Sequence, residues 1–295
     1  MSPKAARKGF PFKRVLSGIA AAIIIGIVVW VGLPLLIPVW LVLAAIAIHE
    51  YSEMLELKGI PVRKRSLWVA AVLTMIAALP GSWFELAGLP AVIGTVSWRE
   101  LLAVLFAVYL VILELIKPNR NSLNCVVFSL FGYLYIPFLL SYIISLRYMP
   151  DHGAGMWYLA FPMLAVVASD VGAYTIGSLF GRRKLAPLIS PGKTVEGAVG
   201  GLVFAVAFVA GLHWLATDVS GFTVELGSLW VFAIVVAAAG QAGDLFESLL
   251  KRWAGVKDSG TFLPGQGGVL DRIDSLIFAI AFCYMFLSLF VFQVA

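Results

Sequence analysis

Charged residues are scarce in this sequence. Only 13% of the 295 residues are Asp, Glu, Lys or Arg, and 61% are apolar, whereas about a quarter of a soluble domain is charged. The chain instead offers many runs of the ~20 apolar residues that a membrane-spanning helix needs. Length alone would allow two soluble domains, but the hydropathy excludes them. The composition predicts an all-α, polytopic integral membrane protein.

Other features are also missing, and each absence removes a class of protein. The two cysteines lie inside apolar runs, so a disulfide scaffold is not expected. The three histidines lack the spacing of metal ligands. No internal repeat supports an inverted-repeat transporter. No basic soluble domain exists, so nucleic-acid binding is not expected; the net charge of +5 fits a topology signal with attraction to membrane lipids.

The apolar stretches predict about nine membrane spans. The first continues to about Trp30, longer than a signal-peptide core, and is expected to be retained. If the N-terminus is cytoplasmic, 19 of the 21 basic residues fall in cytoplasmic segments, as the positive-inside rule requires, and the C-terminus lies outside. The predicted spans are residues 15–32, 35–55, 67–80, 99–116, 123–146, 156–180, 198–216, 228–250 and 274–294.

We interpret the chain as one membrane-embedded unit with two parts. Residues 1–150 supply spans without a clear motif, and residues 151–295 supply spans with two long cytoplasmic loops. The apolar but Gly- and Pro-containing stretch 81–97 is expected in the interface or as a re-entrant segment. The loops, 181–197 and 248–275, combine cations with carboxylates. Charge near a bilayer is expensive and is kept mostly where it has a function, so phosphate chemistry at the membrane surface is expected.

Carboxylates flank the second loop at helical spacing. Asp244, Glu247, Ser248 and Lys251 share one helix face. An alternative is that Glu247 and Lys251 form a pair that only solvates the helix end. Asp271 and Asp274 also share a face, with N-terminal helix capping as the alternative. Convergence of Asp244, Asp271 and Asp274 would suit Mg²⁺, which prefers oxygen ligands.

Two further features lie in and before the first loop. Asp170 sits late in the sixth predicted span, where an unpaired carboxylate is costly, so it either pairs with a loop cation or serves the site. The sequence Pro-Gly-Lys-Thr at 191–194 suggests a nucleotide-binding P-loop, but that motif needs a glycine at position 187. Pro187 stands there and no strand is predicted before it, so a P-loop is rejected.

These motifs resemble the phosphatidate cytidylyltransferases, the CDP-diacylglycerol synthases. The resemblance covers the C-terminal half. It rests on S-x-x-K-R-x(4)-K-D-S-G from Ser248 and L-P-G-x-G-G-x-x-D-R-x-D-S from Leu263, and on Asp170, Ala173, Tyr174, Gly177, Gly181 and the run Ile189 to Gly197. Two positions depart from the family pattern. Gln266 replaces a common His and cannot act as a general base at neutral pH, and Gly192 replaces a common Lys.

The resemblance implies nucleotidyl transfer from CTP to phosphatidic acid at the cytoplasmic face of a bacterial inner membrane. It implies Mg²⁺ at acidic residues and allows K⁺ as a second ion; a homodimer is left open. By motif match the metal ligands are Asp244, Asp271 and Asp274. Phosphate would be held by Lys193, Lys251, Arg252, Lys257 and Arg272. Further substrate-binding positions are Asp170, Ser190, Thr194, Glu196, Ser248 and Asp258.

Three alternatives stay open at the level of sequence. A CTP-dependent polyprenol kinase would transfer the γ-phosphoryl group to an alcohol and release CDP. A close relative could use an ether-linked or isoprenoid analogue of phosphatidate. A transporter would instead distribute polar groups across the membrane, whereas here carboxylates and cations cluster near one face.

Overall fold

The protein is a bundle of long helices. The computed structural model describes residues 23–149, 155–220, 226–262 and 267–291. Its helices are α1 (residues 23–31), α2 (Leu33–Glu56), α3 (Lys64–Ala77), α4 (Gly81–Leu86), α5 (Trp98–Ile116), α6 (Ser122–Tyr133), α7 (Leu139–Arg147), α8 (Gly155–Phe180), α9 (Val195–Ser220), α10 (Leu226–Ala254) and α11 (Leu270–Phe286). A π-helical turn, Leu134–Phe138, joins α6 to α7, and another, Leu287–Val291, extends α11.

Within the described ranges, six helical segments are long and apolar enough to cross a membrane. They are Leu33–Glu56, Ser122–Arg147, Gly155–Phe180, Val195–Trp214, Leu229–Ala254 and Leu270–Val291. The prediction of a helical membrane protein is therefore confirmed. Helices also occupy the other predicted stretches, but α3 has only 14 residues and α5 carries three charged side chains.

Two short antiparallel hairpins add to the helices predicted from sequence. One pairs β1 (Val92–Ile93) with β2 (Val96–Ser97) in the stretch 81–97, which also contains α4. The other pairs β3 (Lys184–Ala186) with β4 (Ser190–Thr194) and leads directly into α9. The expectation that no strand precedes residues 191–194 was therefore wrong, because β3 folds back on β4. An antiparallel hairpin is not the strand-to-helix unit of a P-loop.

Local sequence explains where several helices begin. Gly32 has a φ of 81° and separates α1 from α2, and a Cβ there would lie 2.6 Å from the Tyr148 hydroxyl. Ser97 and Glu100 form a capping box at the start of α5. Pro137 lies in the π-helical turn after α6, where its missing N–H favours a break in the regular ladder.

The helices share one hydrophobic core. Buried apolar side chains form a continuous cluster that reaches from α2 to α11. Helices α8 and α9 pack closely through small residues: a Cβ on Gly200 would lie 2.5 Å from Ile176, and one on Gly172 would lie 2.5 Å from Phe204. Small residues let membrane helices approach in this way. This packing fixes α8, the β3–β4 hairpin and α9 against α10, where the predicted site residues lie.

Candidate active site

A cavity of about 480 Å³ lies between α8, the β3–β4 hairpin, the start of α9 and α10. Its wall includes Asp170 from α8, Lys193 and Thr194 from β4, and Asp244 from α10. These four positions were predicted from sequence, and the structure brings them together. The remaining wall is largely apolar or small, so the cavity combines a few polar groups with room for a ligand.

The hairpin is held in place by the residues that follow it. The Glu196 carboxylate accepts hydrogen bonds from the backbone N–H groups of Arg182 (3.0 Å) and Arg183 (3.1 Å). Thr194 Oγ1 accepts one from the N–H of Gly197 at 3.1 Å, as a helix N-cap does. Both side chains therefore fix the loop backbone, and Thr194 also reaches the cavity wall. The result is a rigid support for Lys193.

Lys193 forms an ion pair with Asp244 across the cavity. Ser248, one turn beyond on α10, donates to the same carboxylate at 3.4 Å. Asp170 lies within electrostatic range of both Lys193 and Asp244. Asp244 has no basic neighbour one turn away in the sequence, and its cationic partner, Lys193, comes from β4 instead. A lysine and two carboxylates facing one cavity can bind phosphate and a cation together.

A second polar group lies beside the cavity and centres on Lys251. Its ammonium pairs with Glu247 and with Asp271, whose Oδ1 is 2.6 Å away. Glu247 is completely buried. The sequence left open that Glu247 and Lys251 form a pair that only solvates the helix end. The pair does form, but it is buried and therefore does not serve to solvate that end. Asp274, 7% exposed, lies within electrostatic range of Asp244 in the first group and of Lys251 in the second.

Asp271 also organises the loop before α11. Its Oδ2 accepts hydrogen bonds from the backbone N–H groups of Ser259 (3.0 Å) and Gly268 (2.7 Å). These two donors precede α11, so Asp271 holds the loop backbone and does not cap the first N–H groups of the helix as the capping alternative supposed. Its other oxygen faces Lys251. Gly267 has a φ of 87°, a conformation that glycine adopts readily. Gln266, whose replacement of His was noted above, lies outside the described residues.

Glu50 was not predicted as a site residue, yet it contacts the same loop. This side chain of α2 is 3% exposed, and it accepts hydrogen bonds from Ser259 Oγ and from the N–H groups of Val269 and Leu270. The sequence signal that could have found it is a carboxylate inside an apolar span, the criterion that singled out Asp170.

Several predicted positions lie at the periphery. Arg252 donates to the carbonyl oxygens of Ile189 and Val256, both at 3.2 Å, and so ties the two loops together. Lys257, Asp258 and Arg272 are exposed, and Ser190 is half-buried in β4. None of these four lines the cavity described above. The contacts proposed for them, with phosphate for Lys257 and Arg272 and with substrate for Ser190 and Asp258, therefore concern the rim of the site.

The donor chemistry of the region suits a hard cation. Five carboxylates lie in or beside the cavity, and two lysines pair with three of them, so oxygen ligands of the kind that a divalent ion prefers are available there. Tyr135 adds a buried hydroxyl without a hydrogen-bond partner among the described residues, within electrostatic range of Asp274, Glu247 and Asp244. In the same residues, no three carboxylate, imidazole or thiol side chains stand at metal-binding separation.

Comparison with known proteins gives a consistent result. A family model described as "Cytidylyltransferase family" matches residues 12–290. The phosphatidate cytidylyltransferase of Bacillus subtilis (strain 168) is 34% identical over 282 residues, 94% of this chain and 98% of that protein. That of Staphylococcus saprophyticus is 34% identical over 267 residues, 90% of this chain and 95% of that protein. That of Staphylococcus haemolyticus is 32% identical over 262 residues, 89% of this chain and 93% of that protein.

Proposed function

The chain belongs to the cytidylyltransferase family, and we propose that it transfers the cytidylyl group of CTP to phosphatidic acid, giving CDP-diacylglycerol and pyrophosphate. One observation supports this most: lysines and carboxylates from α8, β4, α10 and α11 meet at and beside one cavity between apolar helices. A lipid phosphate and a soluble polyanion can meet at such a place, because the cations attract phosphates while the apolar helices border the acyl chains.

The reaction needs orientation more than a protein base. A phosphate oxygen of phosphatidic acid attacks the α-phosphorus of CTP, a new O–P bond forms, and the bond from the α-phosphorus to the bridging oxygen breaks to release pyrophosphate. A phosphate monoester is already nucleophilic at neutral pH. Positioning and neutralisation of the developing charge should therefore dominate catalysis. This agrees with Gln266 in place of an imidazole.

Cations would hold the phosphates in two places. Lys193 lies in the cavity and Lys251 lies beside it, and both now pair with carboxylates. Arg252, Lys257 and Arg272 lie at the rim, suited to the outer phosphates or pyrophosphate. Ser190, Thr194, Glu196, Ser248, Asp258 and Asp170 complete the proposed substrate-binding set, with Thr194 and Asp170 in the cavity wall.

We propose that Asp244, Asp271 and Asp274 hold Mg²⁺, and that K⁺ serves as a second ion. When bound, Mg²⁺ would supply positive charge that neutralises and polarises phosphate oxygens. The three carboxylates are not gathered at metal-binding separation among the described residues. Lys193 and Lys251 neutralise two of them, and the same lysines would be available to phosphates if a metal ion replaced them.

The orientation follows from the distribution of basic residues. We propose nine spans with a cytoplasmic N-terminus and an external C-terminus. This places the β3–β4 hairpin and the loop between α10 and α11 on the cytoplasmic side of a bacterial inner membrane. CTP is a cytoplasmic metabolite, so a site on this face can reach both substrates.

The test uses purified protein in lipid nanodiscs. We expect CDP-diacylglycerol and pyrophosphate only when CTP, phosphatidic acid and Mg²⁺ are all present, and no product after chelation by EDTA. Asp244→Asn should lower the rate at least about 100-fold, because several kcal/mol of charge stabilisation are lost. Glu85→Gln, on exposed α4, is the matched control and should retain full activity.

Mass analysis of the products separates the alternatives. Release of CDP with a phosphorylated alcohol would identify a polyprenol kinase and overturn the proposal. Equal rates for wild type and Asp244→Asn would show that the Asp244 carboxylate is not needed for the reaction. Flux of solute through proteoliposomes without nucleotide would favour a transporter.

A further inference from the structure

We propose that Glu50 is a positioning residue that holds the loop before α11, and through it Asp271, in the arrangement needed for catalysis. This inference rests on the function proposed above. Glu50 lies on α2, more than 200 residues from its partners in sequence, and it belongs to no motif of the C-terminal half. It does not line the cavity, so its effect must pass through other residues.

The contacts of Glu50 are specific for a carboxylate. Oε1 accepts a hydrogen bond from the N–H of Val269 at 2.9 Å. Oε2 accepts one from the N–H of Leu270 at 2.8 Å and one from Ser259 Oγ at 3.1 Å. Val269 and Leu270 form the start of α11, whose first N–H groups have no partner inside the helix. Both oxygens of Glu50 are therefore occupied by donors.

The electrostatics favour a charge at this point despite burial. Glu50 is 3% exposed, and an isolated buried carboxylate would be costly. Three hydrogen bonds and the positive end of the α11 dipole offset that cost. A neutral amide would present an N–H group to one of the backbone donors, so Gln cannot reproduce the full set of contacts.

A chain of hydrogen bonds connects Glu50 to the site. Ser259 Oγ, which donates to Glu50, also accepts from the N–H of Asp271 at 3.3 Å. Asp271 in turn accepts from the N–H of Ser259 and from Lys251 Nζ. Ser259 is thus locked between the two carboxylates. Release of Glu50 would free Ser259 and the first turn of α11, and the Asp271 carboxylate would lose its fixed direction.

Two glycines show how closely the loop backbone packs against the Glu50 side chain. A Cβ on Gly260 would lie 2.5 Å from Glu50 Oε1, and one on Gly268 would lie 2.5 Å from Oε2. Both positions belong to the signature recognised in the sequence. Their lack of a side chain is explained by the approach of a carboxylate from α2, which the sequence of the loop alone could not reveal.

The experiment compares Glu50→Gln with two matched variants. Glu53→Gln changes an exposed carboxylate one turn along the same helix. Glu114→Gln changes a buried carboxylate of α5, 4% exposed and paired with Arg63, away from the site. Each protein is assayed for CDP-diacylglycerol formation at a temperature below its unfolding midpoint. Hydrogen exchange of the peptides covering residues 256–271 is measured in the same preparations without substrate.

We expect kcat of Glu50→Gln to fall about 10- to 100-fold, the usual effect of losing a residue that orients a catalytic carboxylate, with KM for CTP within about threefold. Exchange at Val269 and Leu270 should become faster. Glu114→Gln should lose thermal stability but keep its kcat, and Glu53→Gln should resemble wild type. If Glu50→Gln fails to fold, Ser259→Ala serves in its place: it removes the hydroxyl that donates to Glu50 and accepts from the N–H of Asp271, and it should show the same kinetic pattern in weaker form.

Two results would overturn the inference: a kcat for Glu50→Gln within about twofold of wild type, or unchanged exchange over residues 256–271. An equal loss of kcat in Glu114→Gln would show general destabilisation instead of positioning. If wild-type protein forms no CDP-diacylglycerol, the proposed function fails. The exchange data then still decide whether Glu50 orders the loop.

Discussion

At the scale of single residues, Lys251 is a cation of the site that pairs with two carboxylates. Its ammonium lies between Glu247 and Asp271, and the Glu247 side chain is fully buried. Removal of one partner from a buried ion pair leaves an uncompensated charge, which costs about 3–5 kcal/mol. The residue therefore has a structural role beside its proposed contact with phosphate.

We expect Lys251→Met to lower both the unfolding temperature and the rate of CDP-diacylglycerol formation. Met has similar length but no charge, so Glu247 and Asp271 would face each other unneutralised. Thermal unfolding in detergent and the product assay measure the two effects. Lys257→Met, at an exposed loop position, is the control for stability and should unfold at the wild-type temperature. A Lys251→Met protein as stable as wild type would show that the buried pair is dispensable.

Tyr135 gives a second prediction at this scale. Its side chain is 2% exposed, and its hydroxyl has no hydrogen-bond partner among the described residues. Because π-helical turns often occur at functional sites, we expect this hydroxyl to serve bound substrate or ion. Tyr135→Phe should slow turnover with no loss of thermal stability. Tyr133→Phe, which removes a hydroxyl bonded to Thr74, should instead lower stability by about 1 kcal/mol. Unchanged turnover in Tyr135→Phe would show that the hydroxyl does not serve bound substrate or ion.

Part of this site could be predicted from the types of residue in the sequence. Asp170, Lys193, Thr194 and Asp244 were predicted together and line one cavity, because charged groups in an apolar chain are few and stand out. Glu50 was not predicted, because two of its three hydrogen-bond donors are backbone N–H groups about 220 positions away. Backbone donors have no sequence signature. Pairings such as Lys193 with Asp244 also depend on tertiary contacts that spacing along one helix cannot show.

At the scale of elements, hydropathy located the helices but not what interrupts them. The predicted stretches all contain helix within the described residues, since ~20 apolar residues in lipid must satisfy their backbone internally. The β3–β4 hairpin and the π-helical turns were not predicted. Each involves only a few residues, too few to change the hydropathy of its surroundings, and of the two π-helical turns only Leu134–Phe138 contains a proline.

The packing of α8 on α9 yields a prediction with an internal control. A Cβ on Gly197 would lie 2.8 Å from the Ala173 carbonyl oxygen and 2.9 Å from Thr194 Oγ1. We expect Gly197→Ala to lower the unfolding free energy by about 1–3 kcal/mol, because the helices must separate. Gly211→Ala, farther along α9 where a Cβ meets nothing within 4 Å, should be neutral or stabilising. Equal unfolding midpoints for the two variants would contradict the close approach.

At the scale of the whole molecule, the basic residues and the apolar spans together support the orientation proposed above. The six long apolar helices support a polytopic membrane protein. The sidedness rests on the positive-inside rule. It places the loop after α2 with the site loops, and α4 on the opposite side.

Cysteine labelling tests this orientation. The native Cys125 and Cys283 are buried, so they should react little with a membrane-impermeant maleimide. We expect Trp83→Cys, on exposed α4, to react in intact spheroplasts. Lys58→Cys, at an exposed position after α2, should react only after lysis. The reverse pattern would show the opposite orientation, with the site on the external face of the membrane, where cytoplasmic CTP cannot reach it.

The reach of Glu50 across the chain also bears on how the protein is made. The ribosome releases α2 into the membrane long before it synthesises Val269 and Leu270, which lie 219 and 220 residues later. Until α11 is inserted, the buried carboxylate lacks its donors and the loop lacks its anchor. If Glu50 positions the loop as we propose, activity arises only late in synthesis, and a chain that stops before Val269 is expected to stay inert toward the lipids around it.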